Sequence, residues 1–208
     1  YLQTVLYDSI PEGEERAMIH SRIGKRIRET MLPKSNDFLF AVVHHLNHAS
    51  SCLEEVDDLV NLSRLKLSAA KLAISEKSTF LSASDYLQYA IRLLGPETMW
   101  NIHYDLCLEM HGLSAITTYC IGDFESSNMM VKSILKNGRT IEDKACAYYA
   151  EIDALNTQAM QMQSIEKGLS ILRMLGMKVK RKPSTFTLVC QFLKIKQMLD
   201  RKSDEFII

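Results

Sequence analysis

Three soft side chains, His44, His48 and Cys52, recur at intervals of four in the stretch AVVHHLNHASSC. On a helix that spacing puts them on one face, where two imidazoles and a thiolate have the chemistry to bind a divalent transition metal. His45 sits beside them. A metal site normally draws another ligand from a second element, and the sequence points to none. The expectation is therefore no bound metal and three polar positions on an amphipathic helix. A stoichiometric metal lost on His48→Ala would overturn that reading.

Other fragments of chemistry are weaker. Gly24-Lys25-Arg26 has the Gly-Lys of a phosphate loop, but Ile19 stands where the earlier glycine is needed and Arg26 where Ser or Thr would hold Mg²⁺. No HExxH, GxSxG or CxxC occurs. His103-Tyr104 near Trp100 has the residue types of an aromatic ligand box, but a Trp/Tyr stripe at helical spacing reads as core packing. The basic run Lys178–Lys182 reads as a solvated linker rather than a phosphate contact. No catalytic residue, cofactor, nucleotide or small-molecule substrate is expected, and this segment is not expected to be an enzyme.

The elements that position these residues follow from composition and period. Across 208 residues, 25 Lys and Arg balance 25 Asp and Glu, so no global field draws the chain to nucleic acid or a membrane surface. Eight Gly and four Pro are too few for the turns of an all-β fold, and 47% hydrophobic residues suffice for a core, so the class is all-α. Five cysteines without paired spacing read as free thiols in a reducing compartment, and the absence of an 18-residue apolar run or signal peptide fits a cytoplasmic setting. The chain opens on Tyr1 and closes on Phe206-Ile207-Ile208, and is expected to be a piece of a longer protein.

Residues 98–137 are the expected centre. Ile102, Leu106, Met110 and Leu113 form one helical stripe; Trp100, Tyr104, His111 and Ala115 form a second, so this helix needs partners on two sides. Gly122 breaks it, and Asp123 caps a shorter helix carrying Met130, Val131, Ile134 and Leu135. Asn137-Gly138 should end that helix in a left-handed conformation. Trp100, the one tryptophan, is expected to wedge against Leu93 or Leu94 of the preceding helix pair.

Upstream, residues 1–10 read as the end of a preceding domain, and residues 11–52 as two leading helices. Ser9 and Glu12 suggest a capping box and Pro11 a first turn; the first core face is Ile19, Ile23, Ile27 and Met31. Asn36 should start the second helix, with Phe38, Leu39, Val42, Val43, Leu46 and Ala49 inward. Residues 53–176 read as three irregular hairpins, with helices over 54–77, 79–94, the central pair, 140–160 and 164–175. Residues 177–183 form a basic linker, and residues 184–208 a last helix and the start of the next segment.

Aligning the turns Ser78-Thr79-Phe80, Gly122-Asp123-Phe124 and Ala159-Met160-Gln161 puts small residues at Ala83, Ser127 and Ser164, followed by Ala90, Ile134 and Ile171. Small side chains there let paired helices approach closely. The spacing is near the roughly 34 residues of tetratricopeptide repeats, but irregular. The expected packing positions are Ala83, Ala90, Trp100, Tyr104, Leu106, Met110, Gly122 and Phe124.

Several short signatures together resemble one family. His20-Ser21-Arg22-Ile23-Gly24-Lys25 resembles H-x-x-I-G-[RK], and His45-Leu46-Asn47 resembles Q-L-N with His in place of Gln. Trp100-Asn101-Ile102-His103-Tyr104-Asp105-Leu106 matches W-x-x-H-Y-x-L, followed by Gly122-Asp123-Phe124, Leu175-Gly176 and Lys202-Ser203-Asp204-Glu205. Together, over about residues 10–206, these are similar to the tetratricopeptide-like region of large signalling proteins. In those proteins a serine/threonine-kinase-like domain and an AAA-type, STAND-like ATPase precede the repeats. GAF and histidine-kinase output domains often follow. Gln161 departs from the aromatic usual at its position. Residues 1–11 resemble the end of the ATPase's winged-helix portion. The resemblance implies no catalytic residue within this segment.

The sequence thus predicts an all-α, tetratricopeptide-like, right-handed array of antiparallel helical hairpins, about nine helices. Its expected work is as a scaffold binding protein partners or neighbouring domains of the same chain. A nucleic-acid-binding helical repeat is the main rival, and would need a basic stripe that zero net charge argues against. A metal site on the His44/His48/Cys52 face is the second.

Overall fold

In the computed structural model residues 10–52, 55–77, 79–95, 98–177, 179 and 184–199 are described. Among them the chain is all helical, with no strand. Ten α-helices follow in order: α1 (Glu14–Thr30), α2 (Leu39–His48), α3 (Val56–Lys77), α4 (Phe80–Leu94), α5 (Thr98–Ile102), α6 (Tyr104–Cys120), α7 (Phe124–Asn137), α8 (Ala145–Thr157), α9 (Gln161–Met174) and α10 (Thr185–Leu199). Short 3-10 turns at Asn36–Phe38 and Ser50–Cys52 flank α2. Helices adjacent in sequence pack as the pairs α1/α2, α3/α4, α6/α7 and α8/α9.

Pairing rests on close backbone approach. Gly24 is buried on α1, and a Cβ there would lie 2.8 Å from Leu46 Cδ2 of α2. The inward face of α1 is Ala17, His20 and Gly24; the expected Ile23 and Met31 are largely exposed. The small Ala17 and Gly24 let α2 approach closely, and Ile27 of the expected stripe packs against Val42 and Leu46. Ala83, Ser127 and Ser164 are all buried, as expected of small positions in paired helices.

The turns share one device. Gly122, Ala159 and Gly176 all take positive φ. The next residue's N–H returns five positions in each case: Asp123 to Thr118 O (2.9 Å), Met160 to Leu155 O (2.9 Å) and Met177 to Leu172 O (2.9 Å). This is the glycine C-cap pattern that satisfies the last carbonyls of a helix. Ala159 adopts the left-handed conformation without glycine's freedom, which supports aligning it with Gly122. Asp123 accepts from the Ser126 N–H (3.1 Å), the expected cap of α7.

Four buried clusters run through the array. Val42, Leu46 and Leu62, with Ile27 and Leu93 against them, join α1 through α4. Leu39, Val43 and Ala69 form a second cluster beside them. A third holds Val60, Leu67, Ala83, Leu87, Ala90 and Leu94 together with Leu106 and Met110 of α6. The fourth holds Trp100, Cys107, Ala115, Val131, Ile134, Ala147 and Ala150. Helix α6 therefore buries two faces, one toward α3/α4 and one toward α7/α8, as its double stripe predicts.

Several expectations fail in detail. The central helix breaks at His103, giving ten helices instead of about nine and leaving Ile102 63% exposed. Trp100 packs forward into the α6/α7/α8 cluster, whereas Leu93 and Leu94 belong to the clusters behind it. Phe124 is 47% exposed and lies edge-on to Tyr119, so it packs on the surface and not in the core. Gly138 is not left-handed (φ −57°); a Cβ there would meet Ile134 O at 2.8 Å, so close approach explains this glycine. Pro11 precedes α1, whose N-cap is Gly13, whereas the 3-10 turn into α2 does begin at Asn36, with Ser35 as its N-cap. Ser9, most of Lys178–Lys182 and residues 200–208 lie outside the described residues. Among the described residues no helix is long and apolar enough to cross a membrane.

Candidate functional site

The densest group of chemistry-bearing side chains lies where α1 meets α2. Gly24 and Ala17 let the helices close on His20, which is buried at 4% exposure between them. From α2, His45 is half-buried against it, and His44 and His48 stand exposed one turn apart. His20 Nδ1 lies 2.9 Å from His45 Nδ1, a hydrogen bond in which one ring donates and the other accepts. Ring centroids separate by 4.8 Å for His20–His48, 4.7 Å for His44–His48 and 6.3 Å for His20–His44.

Imidazoles this close disfavour charge on the two that are least exposed, His20 and His45. The His20 pKa is lowered, first by burial and then by His45, His48, His44 and Arg16; that of His45 is lowered by burial and then by His44 and His48. Both rings are held toward the neutral form, which carries the lone pair a metal or proton needs. A cleft lined by Glu12, Arg16, Ala17, His20, His48 and Ser51 opens beside them. Arg16 donates from Nη2 to Ile10 O (2.6 Å) and pairs with Glu12 (3.4 Å). Of the residues singled out by spacing, His44 and His48 thus converge as expected; the side chain of Cys52 lies outside the described residues. His20 is the member that spacing along one helix did not reveal. Its signal in the sequence was its place at the head of the H-x-x-I-G-[RK] segment, next to Ile19 of the predicted stripe.

A second polar group joins α2, α3 and α4. Lys66 is only 2% exposed, and its ammonium donates to Asn47 Oδ1 (3.0 Å) while lying 3.9 Å from the Tyr89 ring centroid. Burial first, and Arg92 second, lower its pKa to about 8. Tyr89 in turn donates to Ser50 Oγ (3.2 Å), tying α4 to the turn after α2. Lys66 shares a face of α3 with the buried Leu62, Ala69 and Ala73, and the aromatic rings beside its charge, Tyr86 and Tyr89, come from α4.

The W-x-x-H-Y stretch is a packing site. Trp100 is buried and contacts the Tyr104 and His111 rings at 5.8 and 4.9 Å. His111 donates through Nδ1 to Cys107 O (2.8 Å) and is kept neutral by burial. Tyr104 donates to Asp143 Oδ2 (2.5 Å), accepts from the Arg139 N–H (2.8 Å), and lies under the Arg139 guanidinium at 3.9 Å. Asp143 and Thr140 bond reciprocally, Thr140 N–H to Oδ2 (3.0 Å) and Asp143 N–H to Oγ1 (3.1 Å), as the Thr140/Asp143 spacing suggests. Leu106, Met110, Ala83 and Ala90 are core residues, and Gly122 is the turn. Near the phosphate-loop-like fragment, Gly24 is buried under Leu46 while Lys25 and Arg26 point outward on α1, so the fragment has no loop to cradle a phosphate.

An apolar groove lies between α8 and α9, lined by Ile141, Tyr148, Ile152, Ile171, Leu172 and Leu175. Beyond it α10 exposes Phe186, Leu188, Phe192 and Leu193. No protein-family model, curated protein or solved structure matches this chain.

Proposed function

We propose that the chain is a non-catalytic helical-hairpin scaffold that binds protein partners or neighbouring domains and couples them in a large cytoplasmic ATPase- and kinase-containing signalling protein. The observation that carries this reading is the double burial of α6. One face shares a core with α3 and α4, the other with α7 and α8, so a displacement at either end must repack the same helix. The family-like residues support it by position: His20, Gly24, Trp100 and Tyr104 are interhelical contacts, and Gly122 is a turn. The parent's kinase and ATPase domains enter through the sequence resemblance.

The test is amide hydrogen exchange on the whole chain carrying Val131→Ala, a cavity-forming change in the α6/α7/α8 cluster. Coupling through α6 predicts faster exchange in α3 and α4 as well as in α7 and α8. Faster exchange confined to α7 and α8 would make the hairpins independent and remove the basis for a coupling role.

A further inference from the structure

A stack of helical hairpins buries each unit against the next, so its last unit needs either a polar outer face or a cover. The covering rule is visible inside this chain: α6, the first helix of its hairpin, packs on α4 behind it, and α8 packs on α7. Among the described residues no later helix covers α9 in that way. Its groove with α8 stays open, lined by Ile152, Ile171, Leu172 and Leu175 with Tyr148 and Tyr149. The lining has few polar groups to orient a small ligand, so the surface suits an apolar helix better than a metabolite.

The same chain carries the complementary element. On α10, Leu188, Phe192 and Ile195 form one stripe at i, i+4 and i+7, and Phe186, Val189 and Leu193 form a second. All six side chains are more than half exposed. A helix apolar on two faces belongs in an interior, yet among the described residues no helix of the same molecule packs closely on α10. Charge agrees with shape. Glu142 is exposed and is the one charged side chain lining the groove among the described residues, while the only charged residues of α10 are Lys194 and Lys196. We propose that α10 of one copy seats in the α8/α9 groove of a second copy, and that the exchange is reciprocal, giving a closed two-fold dimer. Each copy supplies one groove and one helix, so two equal contacts satisfy both and leave no open end on which a filament could grow. This holds whether or not the hairpins are coupled through α6.

The experiment is sedimentation velocity on the whole chain and on two surface variants. Leu175→Lys sets a charge in the groove and keeps α10 intact; Phe192→Lys sets one on α10 and keeps the groove. Both side chains are exposed, so both variants should fold, which circular dichroism checks. Tyr149→Lys, at a groove position 64% exposed, replaces Leu175→Lys if that variant unfolds. Wild type should reach a dimer and nothing larger by roughly 100 micromolar, and each variant alone should need at least about tenfold more protein to associate. An equimolar mixture of the two variants should dimerise again, more weakly than wild type, because the groove of Phe192→Lys still receives the α10 of Leu175→Lys. With a fluorescent label on one variant, its faster sedimentation should appear only when the other is added. A wild-type chain that stays monomeric overturns the proposal, as does one that grows beyond a dimer. Leu175→Lys dimers as tight as wild type would overturn it by showing α10 paired with α10. A mixture that associates no better than its components would overturn it by showing that groove and helix do not meet.

Discussion

At the scale of single residues, Lys66 is the clearest conflict between charge and position. A buried ammonium whose pKa falls from 10.5 to about 8 binds its proton less tightly folded than unfolded. The folded state is therefore penalised below pH 8, by an amount of order 3 kcal/mol at about 1.4 kcal/mol per pH unit. The penalty fades as pH rises from 8 toward 10.5. The Asn47 hydrogen bond and the Tyr89 ring offset part of the desolvation without removing it. Lys66→Met fills a similar volume without charge, and Asn47 is exposed enough for water to replace the lost donor. The expected outcome is a higher urea midpoint for Lys66→Met at pH 7, with the gap to wild type closing between pH 8 and 10. A gap of constant size across that range would show that the lysine stays charged and hydrated, with no pKa difference between the folded and unfolded states. A lower midpoint at pH 7 would show that the cation–ring contact outweighs burial.

At the scale of elements, Trp100 shows what a short helix contributes. Helix α5 has only five residues and could not hold together alone. It is held by Trp100, which enters the cluster of α6, α7 and α8, and by Tyr104 just after the break, which binds the Arg139–Asp143 turn. Removing a buried tryptophan ring costs roughly 3–5 kcal/mol, against about 5–15 kcal/mol for a whole domain. Trp100→Ala should therefore broaden or split chemical unfolding followed by circular dichroism, with α7 to α9 melting first and α1 to α4 persisting. An unchanged midpoint and slope would mean that the ring does not bridge the hairpins. Much of this layout was legible in the sequence. The double stripe of α6, the Asp123 cap, the Gly122 turn and the small residues at 83, 127 and 164 follow from periods of three to four, and local geometry enforces them. What escaped depended on contacts across the array. The direction Trp100 faces is decided by the break at His103, which no glycine or proline announces. His20 and Lys66 have partners 25 and 19 residues away, where period along a single helix carries no information.

At the scale of the whole molecule, burial is uneven along the chain. The interior from α2 to α7 holds fully buried residues such as Val42, Leu87, Met110 and Ile134, whereas α9 contributes only Ser164 at comparable depth. Later in the chain, Phe186 is 77% exposed and Phe192 66%, and the α8/α9 groove is lined by isoleucine, leucine and tyrosine. Apolar surface of this extent is favourable to cover, at about 25 cal/mol per Å² removed from water. A net charge of zero supplies no long-range repulsion to keep copies apart. In isolation the chain should then associate reversibly through its C-terminal end. Sedimentation velocity at neutral pH over roughly micromolar to 100 micromolar protein should show a rising weight-average coefficient, strengthened by sulfate because excluded salts favour apolar burial. Phe192→Lys places a charge on the exposed face without touching α1 to α9, and should return the chain to a single slow species while leaving its thermal midpoint at low concentration unchanged. A wild-type chain that stays monomeric throughout would mean that α10 covers the groove within its own molecule. Phe192→Lys would then lower the thermal midpoint even in dilute solution.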